Sequence, residues 1–140
     1  KLPHLDGWNA SRRRAAATYA ELLDGLPIIT PTTADYAEHI FHLYVVRVSE
    51  REALMGYLKK MGVATGLHYP MPIHLQPAYA ELGYRQGDFP ITEAYAETIV
   101  SLPIFPELDD EKVAYVVEGI REYFAARGEA ERLPEAVAAG

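Results

Sequence analysis

The side chains best suited to chemistry lie together in Gly66-Leu67-His68-Tyr69-Pro70-Met71-Pro72-Ile73-His74-Leu75-Gln76-Pro77-Ala78-Tyr79. This stretch carries two of the five histidines, with phenol and amide groups between and beside them. Such groups both donate and accept hydrogen bonds and suit oxygen-rich ligands. Pro70, Pro72 and Pro77 each fix φ near −65° and remove a backbone donor. They also push Tyr69, Met71 and Gln76 toward extended backbone. The stretch is therefore neither a long helix nor a central strand. On residue types alone it reads first as a rigid elbow whose rings pack on the domain. The alternative is a ligand-facing segment, since a stiff connector loses little freedom on binding.

Other chemistries find less support. Zinc takes three or four convergent ligands. His39 and His42 would fall on opposite faces of a strand, and His68 and His74 stand six apart across two prolines with no carboxylate near in sequence. No metal ligand set is expected. There are no cysteines, which removes thiolate sites, cysteine nucleophiles and disulfides. No Gly-x-Ser-x-Gly occurs and no phosphate-cradling glycine loop. Ser49 is better used as a helix cap. A Schiff-base lysine needs an apolar pocket to lower its pKa, whereas Lys59, Lys60 and Lys112 sit near helix ends in polar company and Lys1 is terminal. No catalytic residue is assigned.

The elements that must position the elbow follow from periodicity. Leu2 to Leu26 reads as a helix, with Trp8, Arg12, Ala15/Ala16, Tyr19 and Leu22/Leu23 at helical spacing, stopped by Gly25 and Pro27. Asp6, Asn9 or Ser11 could cap it. Ile28-Ile29-Thr30 is a possible edge strand. His39 to Val48 alternates as a strand with two apolar faces, hence a central one. Ser49-Glu50-Arg51-Glu52 has the form of a capping box, and the helix after it carries Leu54, Tyr57/Leu58 and Met61 inward before Gly62. Val63 to Tyr69 reads as a second strand in the same sheet as the first. Leu75–Leu82 is expected to be a short helix and Thr92–Val100 a longer one. Ser101 to Pro106, with two prolines, reads as an edge strand or irregular extension. Asp109 caps a last helix whose buried stripe is Val113, Val116/Val117, Ile120 and Phe124. Residues 128–140 are expected to form a flexible tail. The sum is an α+β domain, a small mostly antiparallel sheet with packed helices.

With 140 residues, 49% apolar content and net charge −7, the chain suits one globular domain. It does not suit general nucleic-acid binding, which needs a basic face. No apolar run reaches the ~20 residues of a membrane helix. A chain that opens at Lys1 without Met is expected to be a piece of a longer protein.

His68 to Tyr79 strongly resembles a segment of the C-terminal domain of the DegT/DnrJ/StrS sugar aminotransferases. The likeness continues in Leu2-Pro3-His4-Leu5-Asp6-Gly7-Trp8-Asn9 with Arg12-Arg13 and Ala16…Tyr19, and in His42-Leu43-Tyr44-Val45-Val46-Arg47. It closes with Gly87-Asp88-Phe89-Pro90 plus Glu93 and with Leu102-Pro103-Ile104-Phe105-Pro106-Glu107-Leu108. The resemblance spans residues 2 to about 125 in order. It implies that residues 1–127 form the small domain of a fold-type I enzyme, with 1–26 as the interdomain helix. A missing N-terminal large domain would hold pyridoxal 5'-phosphate through a lysine, and the full enzyme would be a cytoplasmic homodimer.

The implied reaction moves an amino group, from glutamate, to a keto group on a nucleotide-linked sugar. Residues carried over for the substrate side are His68 and Tyr69, then His74 and Gln76; His42 is taken as structural. None of these holds the cofactor, and the piece alone is expected to be inactive. Two alternatives stay open: a free-standing, non-catalytic sugar-nucleotide binding module, and a sugar dehydratase of the same superfamily. If the chain is a piece, its first helix and elbow should expose aromatic surface.

Overall fold

The computed structural model describes residues 1–128. Four α-helices and one antiparallel strand pair order the fold: α1 (Leu5–Leu22), β1 (Tyr44–Arg47), α2 (Arg51–Lys60), α3 (Pro90–Thr98), β2 (Ile99–Leu102) and α4 (Asp110–Ala125). Short 3-10 turns cover Leu2–His4, Ile73–Leu75 and Pro77–Leu82. The expected α+β class, with an antiparallel sheet and packed helices, holds.

The sheet is narrower than the alternation implied. β1 pairs with β2 in the register Tyr44↔Leu102, Val45↔Ser101, Val46↔Val100, Arg47↔Ile99. Single bridges extend it on both sides, Ile29↔Arg47 beyond β1 and Gly66↔Ser101 beyond β2. β1 is therefore central as expected, but it does not begin at His39. Phe41 takes φ +50 and its amide donates to His39 Nδ1 at 2.8 Å, a local turn that keeps residues 39–42 out of the ladder. The expected second strand, Val63 to Tyr69, reduces to the Gly66 bridge, which joins the same sheet beside β2. The largest correction concerns residues 99–102. They are not the end of a helix followed by an edge segment; they form β2, buried at every position. The prolines that suggested an edge fall just after the strand, at Pro103 and Pro106, where no ladder donor is needed.

Alternation sorts the strand residues. Tyr44, Val46, Val48, Val100 and Leu102 join Tyr19, Leu58, Val117 and Ile120 in one core, built where α1 and α2 meet α4. α2 and α4 approach closely at Gly119, where a Cβ would stand 2.7 Å from Met61 Sδ and 3.3 Å from Leu58 Cδ2. Within the core Tyr19 stacks on Tyr44, ring centroids 4.9 Å apart, and donates its hydroxyl to the Pro103 carbonyl at 3.0 Å.

Helix ends follow the local chemistry in part. Gly25 at φ +77 and Gly62 at φ +80 turn the chain away from α1 and α2. Asp109 caps α4, accepting from the Lys112 amide at 2.9 Å. The start of α2 falls one residue later than the expected cap at Ser49. The N-cap of α2 is Glu50 without a side-chain cap, and the Glu52 carboxylate pairs with Arg51, whose guanidinium also bonds the Ala96 carbonyl. α1 likewise starts after His4 with no side-chain cap. The expected tail beyond Gly128 lies outside the described residues.

Candidate substrate cleft

The other face of the same strands is open. Val45, Arg47 and Ile99 form the floor of a cleft of about 720 Å³. Ile29 to Thr32 make one wall, α3 contributes Ile91, Thr92, Tyr95 and Ala96, and the proline-rich elbow arches over with His68, Tyr69, Met71 and Gln76. Three of the four residues singled out by sequence thus meet in one place.

Arg47 is the cleft's charge. It is only 6% exposed, and its guanidinium lies 4.1 Å from the centre of the Tyr95 ring. A cation over an aromatic face in a partly desolvated site is attracted by the ring quadrupole, so Tyr95 holds the guanidinium at the cleft wall. Its Nε lies 3.5 Å from Thr98 Oγ1 at the end of α3. A planar, permanently charged fork of this kind suits carboxylate or phosphate oxygens. Sequence reading passed over Arg47, although a lone cation in the apolar run Tyr44 to Val48 is the signal that could have found it.

His68 is held from two sides. Its Nδ1 sits 2.8 Å from the buried Ser101 Oγ, and its ring covers Gly66 so closely that a Cβ there would meet Cε1 at 2.8 Å. Tyr69 follows across a cis peptide, with its ring edge-on to His68 at 5.6 Å. It is 72% exposed. Gln76 lines the cleft half-buried.

His74 does not line the cleft. Its Nε2 is 2.9 Å from Glu93 Oε1, with both side chains largely shielded, and its ring packs on Phe89. The Glu93 carboxylate also accepts from the Gly87 amide at 2.8 and 2.9 Å and from the Phe89 amide at 3.2 Å. Those bonds, first the Gly87 amide and also the His74 ring, hold the Glu93 carboxyl below its ordinary range. The unit is a clasp joining the elbow to the start of α3. His42 is exposed and outside the cleft.

Among the described residues no group of three or more His, Asp or Glu is placed to hold a metal ion. No lysine lines the cleft: Lys59 and Lys60 end α2 and Lys112 pairs with Asp109 on α4. Nor does any carboxylate line it. Pyridoxal phosphate needs an amine for its aldehyde and an acid for its ring nitrogen, so these cleft residues do not fit it as its sole binding set. Elbow and first helix differ in exposure. Tyr69 and Ile73 (66%) are open, while Trp8 is half-buried and Tyr19 fully buried. No described helix is long and apolar enough to cross a membrane.

Comparison with known proteins adds relatives to this geometry. The model of the DegT/DnrJ/EryC1/StrS aminotransferase family matches residues 1–121. A Geobacillus stearothermophilus protein described as a pleiotropic regulatory protein is 46% identical over 89% of this chain and 34% of its own length. The dTDP-3-amino-3,6-dideoxy-alpha-D-galactopyranose transaminase of Aneurinibacillus thermoaerophilus is 45% identical over 88% of this chain and 33% of its own. Among solved structures, S. venezuelae DesV in complex with a ketimine intermediate superposes with TM-score 0.86 at 40% identity, covering 91% of this chain and 34% of DesV. The chain therefore spans about a third of the length of the relatives it matches.

Proposed function

The chain belongs to the DegT/DnrJ/EryC1/StrS aminotransferase family, and from that premise we propose that it is the C-terminal, substrate-side domain of a nucleotide-sugar aminotransferase. In this reading residues 1–127 are the small domain and 1–26 the helix that joins it to a cofactor-binding domain. The substrate is a keto sugar carried on a nucleotide, the amino donor is glutamate, and the working enzyme is a cytoplasmic homodimer. Pyridoxal phosphate, held by residues outside this cleft, supplies the electron sink for amino transfer.

The supporting observation is the cleft itself, a buried Arg47 on an apolar floor ringed by His68, Tyr69, Gln76 and Thr92. A nucleotide sugar brings anionic oxygens, hydroxyls and apolar ring faces. The cleft answers each in kind: a guanidinium for charge, imidazole and amide groups for hydroxyls, and Val45 and Ile99 for the apolar faces. The stiff elbow loses little freedom when it closes on such a ligand. His68, Tyr69 and Gln76 bind and orient; His74 acts through the clasp with Glu93.

The test uses the full-length gene product. Pyridoxal phosphate should give a new absorbance band between about 300 and 500 nm, borohydride should fix the cofactor to a lysine, and peptide mapping should place that lysine outside residues 1–140. Glutamate should then convert the cofactor to its amine form, and a keto-sugar nucleotide should reverse it. A second reading, a non-catalytic nucleotide-sugar binding module, is favoured by the regulatory description of the Geobacillus relative. It gains if the protein binds nucleotide sugar with no lysine adduct. A cofactor that binds reversibly, with no reducible lysine, together with loss of a sugar hydroxyl, favours the dehydratase instead.

A further inference from the structure

We propose that Ser101 is a positioning residue for His68, whose hydroxyl donates to Nδ1 and fixes the imidazole as the neutral Nε2–H tautomer, a hydrogen-bond donor facing the cleft. The inference deepens the substrate-side reading above by giving His68 one chemical role, donation to a substrate oxygen.

Three observations carry it. First, Ser101 is 5% exposed in the central strand β2, and among the described residues its hydroxyl has one recorded partner, His68 Nδ1 at 2.8 Å. A serine hydroxyl has one hydrogen to give, and burying it without an acceptor is costly. If Nδ1 carried the proton and donated to Oγ, that hydroxyl hydrogen would be left without an acceptor in a shielded position. Donation from Oγ to Nδ1 satisfies both groups.

Second, the ring cannot easily turn to exchange its nitrogens. It lies over Gly66, where even a methyl carbon would approach Cε1 to 2.8 Å. Gly66 is in turn locked to Ser101 by two backbone bonds, Gly66 N to Ser101 O at 3.0 Å and Ser101 N to Gly66 O at 2.8 Å. One bridge thus sets both the floor under the ring and the hydroxyl beside it.

Third, His68 lines the cleft, and among the described residues no bond to its Nε2 is recorded, which leaves that nitrogen for a ligand. An Nε2–H group donates to hydroxyl, carbonyl or phosphate oxygens and has no lone pair with which to accept a proton. The arrangement makes His68 a binding group rather than a general base.

The experiment is nitrogen-15 NMR of histidine-labelled, full-length holoenzyme at about pH 8, where an ordinary imidazole is neutral. The His68 signals are assigned by their loss in His68→Gln. The parent enzyme should show a pyrrole-type Nε2 and a pyridine-type Nδ1. Ser101→Thr, which keeps the hydroxyl, should preserve that pattern, and Ser101→Ala should shift it toward a mixture. In steady-state kinetics Ser101→Ala should raise KM for the keto-sugar nucleotide about two- to tenfold, the worth of one hydrogen bond, with kcat changed less. A parent His68 in the Nδ1–H form, or an Ala variant with the parent's tautomer, overturns the proposal. The tautomer is read without turnover, so failure of the aminotransferase reading would leave this result standing on its own.

Discussion

The two faces of β1 and β2 are made by alternate residues of the same eight positions, yet they do opposite work. On one face Tyr44, Val46, Val100 and Leu102 are sealed beneath the helices. On the other, Val45, Arg47 and Ile99 floor an open cleft, and Ser101 steadies the histidine above it. A period of two lets adjacent residues be spent on different ends. Val46 belongs to the core; Arg47, one peptide away, lines the cleft with a buried charge. In so small a sheet neighbouring substitutions should therefore differ in kind, not merely in size.

The most forceful way to break that division is in the core. Leu58 is fully buried against α4, and Leu58→Ala should cost about 2–5 kcal/mol in urea unfolding. The folded fraction should keep the parent's ligand affinity. A loss of affinity without loss of stability would put Leu58 on the wrong side of the comparison.

Arg47→Met supplies the converse. It keeps most of the stem volume and removes the charge from the cleft floor. Affinity for a nucleotide sugar should fall roughly ten- to hundredfold, as for a charged hydrogen bond, with a smaller change in urea midpoint than Leu58→Ala gives. An Arg47→Met variant that is destabilised as much as Leu58→Ala, but whose folded fraction binds with the parent's affinity, would make the guanidinium a core group after all.

The two stacked tyrosines sharpen the core side. Tyr19 donates to Pro103 O, whereas the buried Tyr44 hydroxyl has no partner among the described residues. Burial holds the Tyr44 phenol at about 12, so it stays neutral in either case. Tyr19→Phe should cost about 1 kcal/mol and Tyr44→Phe close to nothing, as measured by paired denaturation curves. Equal losses would show that shape, rather than the hydroxyl, matters at both.

The smallest effect belongs to the clasp. Glu93 has its carboxyl pKa lowered in the folded protein, so it adds stability above the ordinary carboxylate range. That contribution is lost as pH falls through the lowered value. Protection of the Gly87 and Phe89 amides against hydrogen exchange, measured relative to the intrinsic rate at each pH, should fall selectively on acidification. Glu93→Gln should exchange faster at neutral pH and lose most of the pH dependence. The global midpoint should barely move.

Much of this was legible in the chain. The stripe of α4, the Asp109 cap and the stops at Gly25 and Gly62 are local signals, and local structure obeys them. The elbow could be picked out because three prolines leave it few conformations, and His68, Tyr69 and Gln76 do meet in the cleft. What escaped depended on distant partners. Ile99 and Val100 look like the end of a helix, and Ser101 and Leu102 like an edge segment, until β1 is present to pair with them. His74 looks like a ligand-binding group until Glu93, far along the chain, claims its Nε2. Arg47 could have been suspected from its apolar neighbours, but only the fold shows Tyr95 under it.

The pairing of Tyr44 with Leu102 joins strands that the whole middle of the chain separates, and the cleft is assembled across that seam. Such a long closure is entropically slow and gains nothing until it is complete. The cleft therefore has no partial version in a half-folded chain. A ligand seated there binds only the finished structure, and mass action turns its occupancy directly into resistance to global unfolding. Protection from proteolysis by added nucleotide sugar would thus extend to α1 and α4, which do not line the cleft.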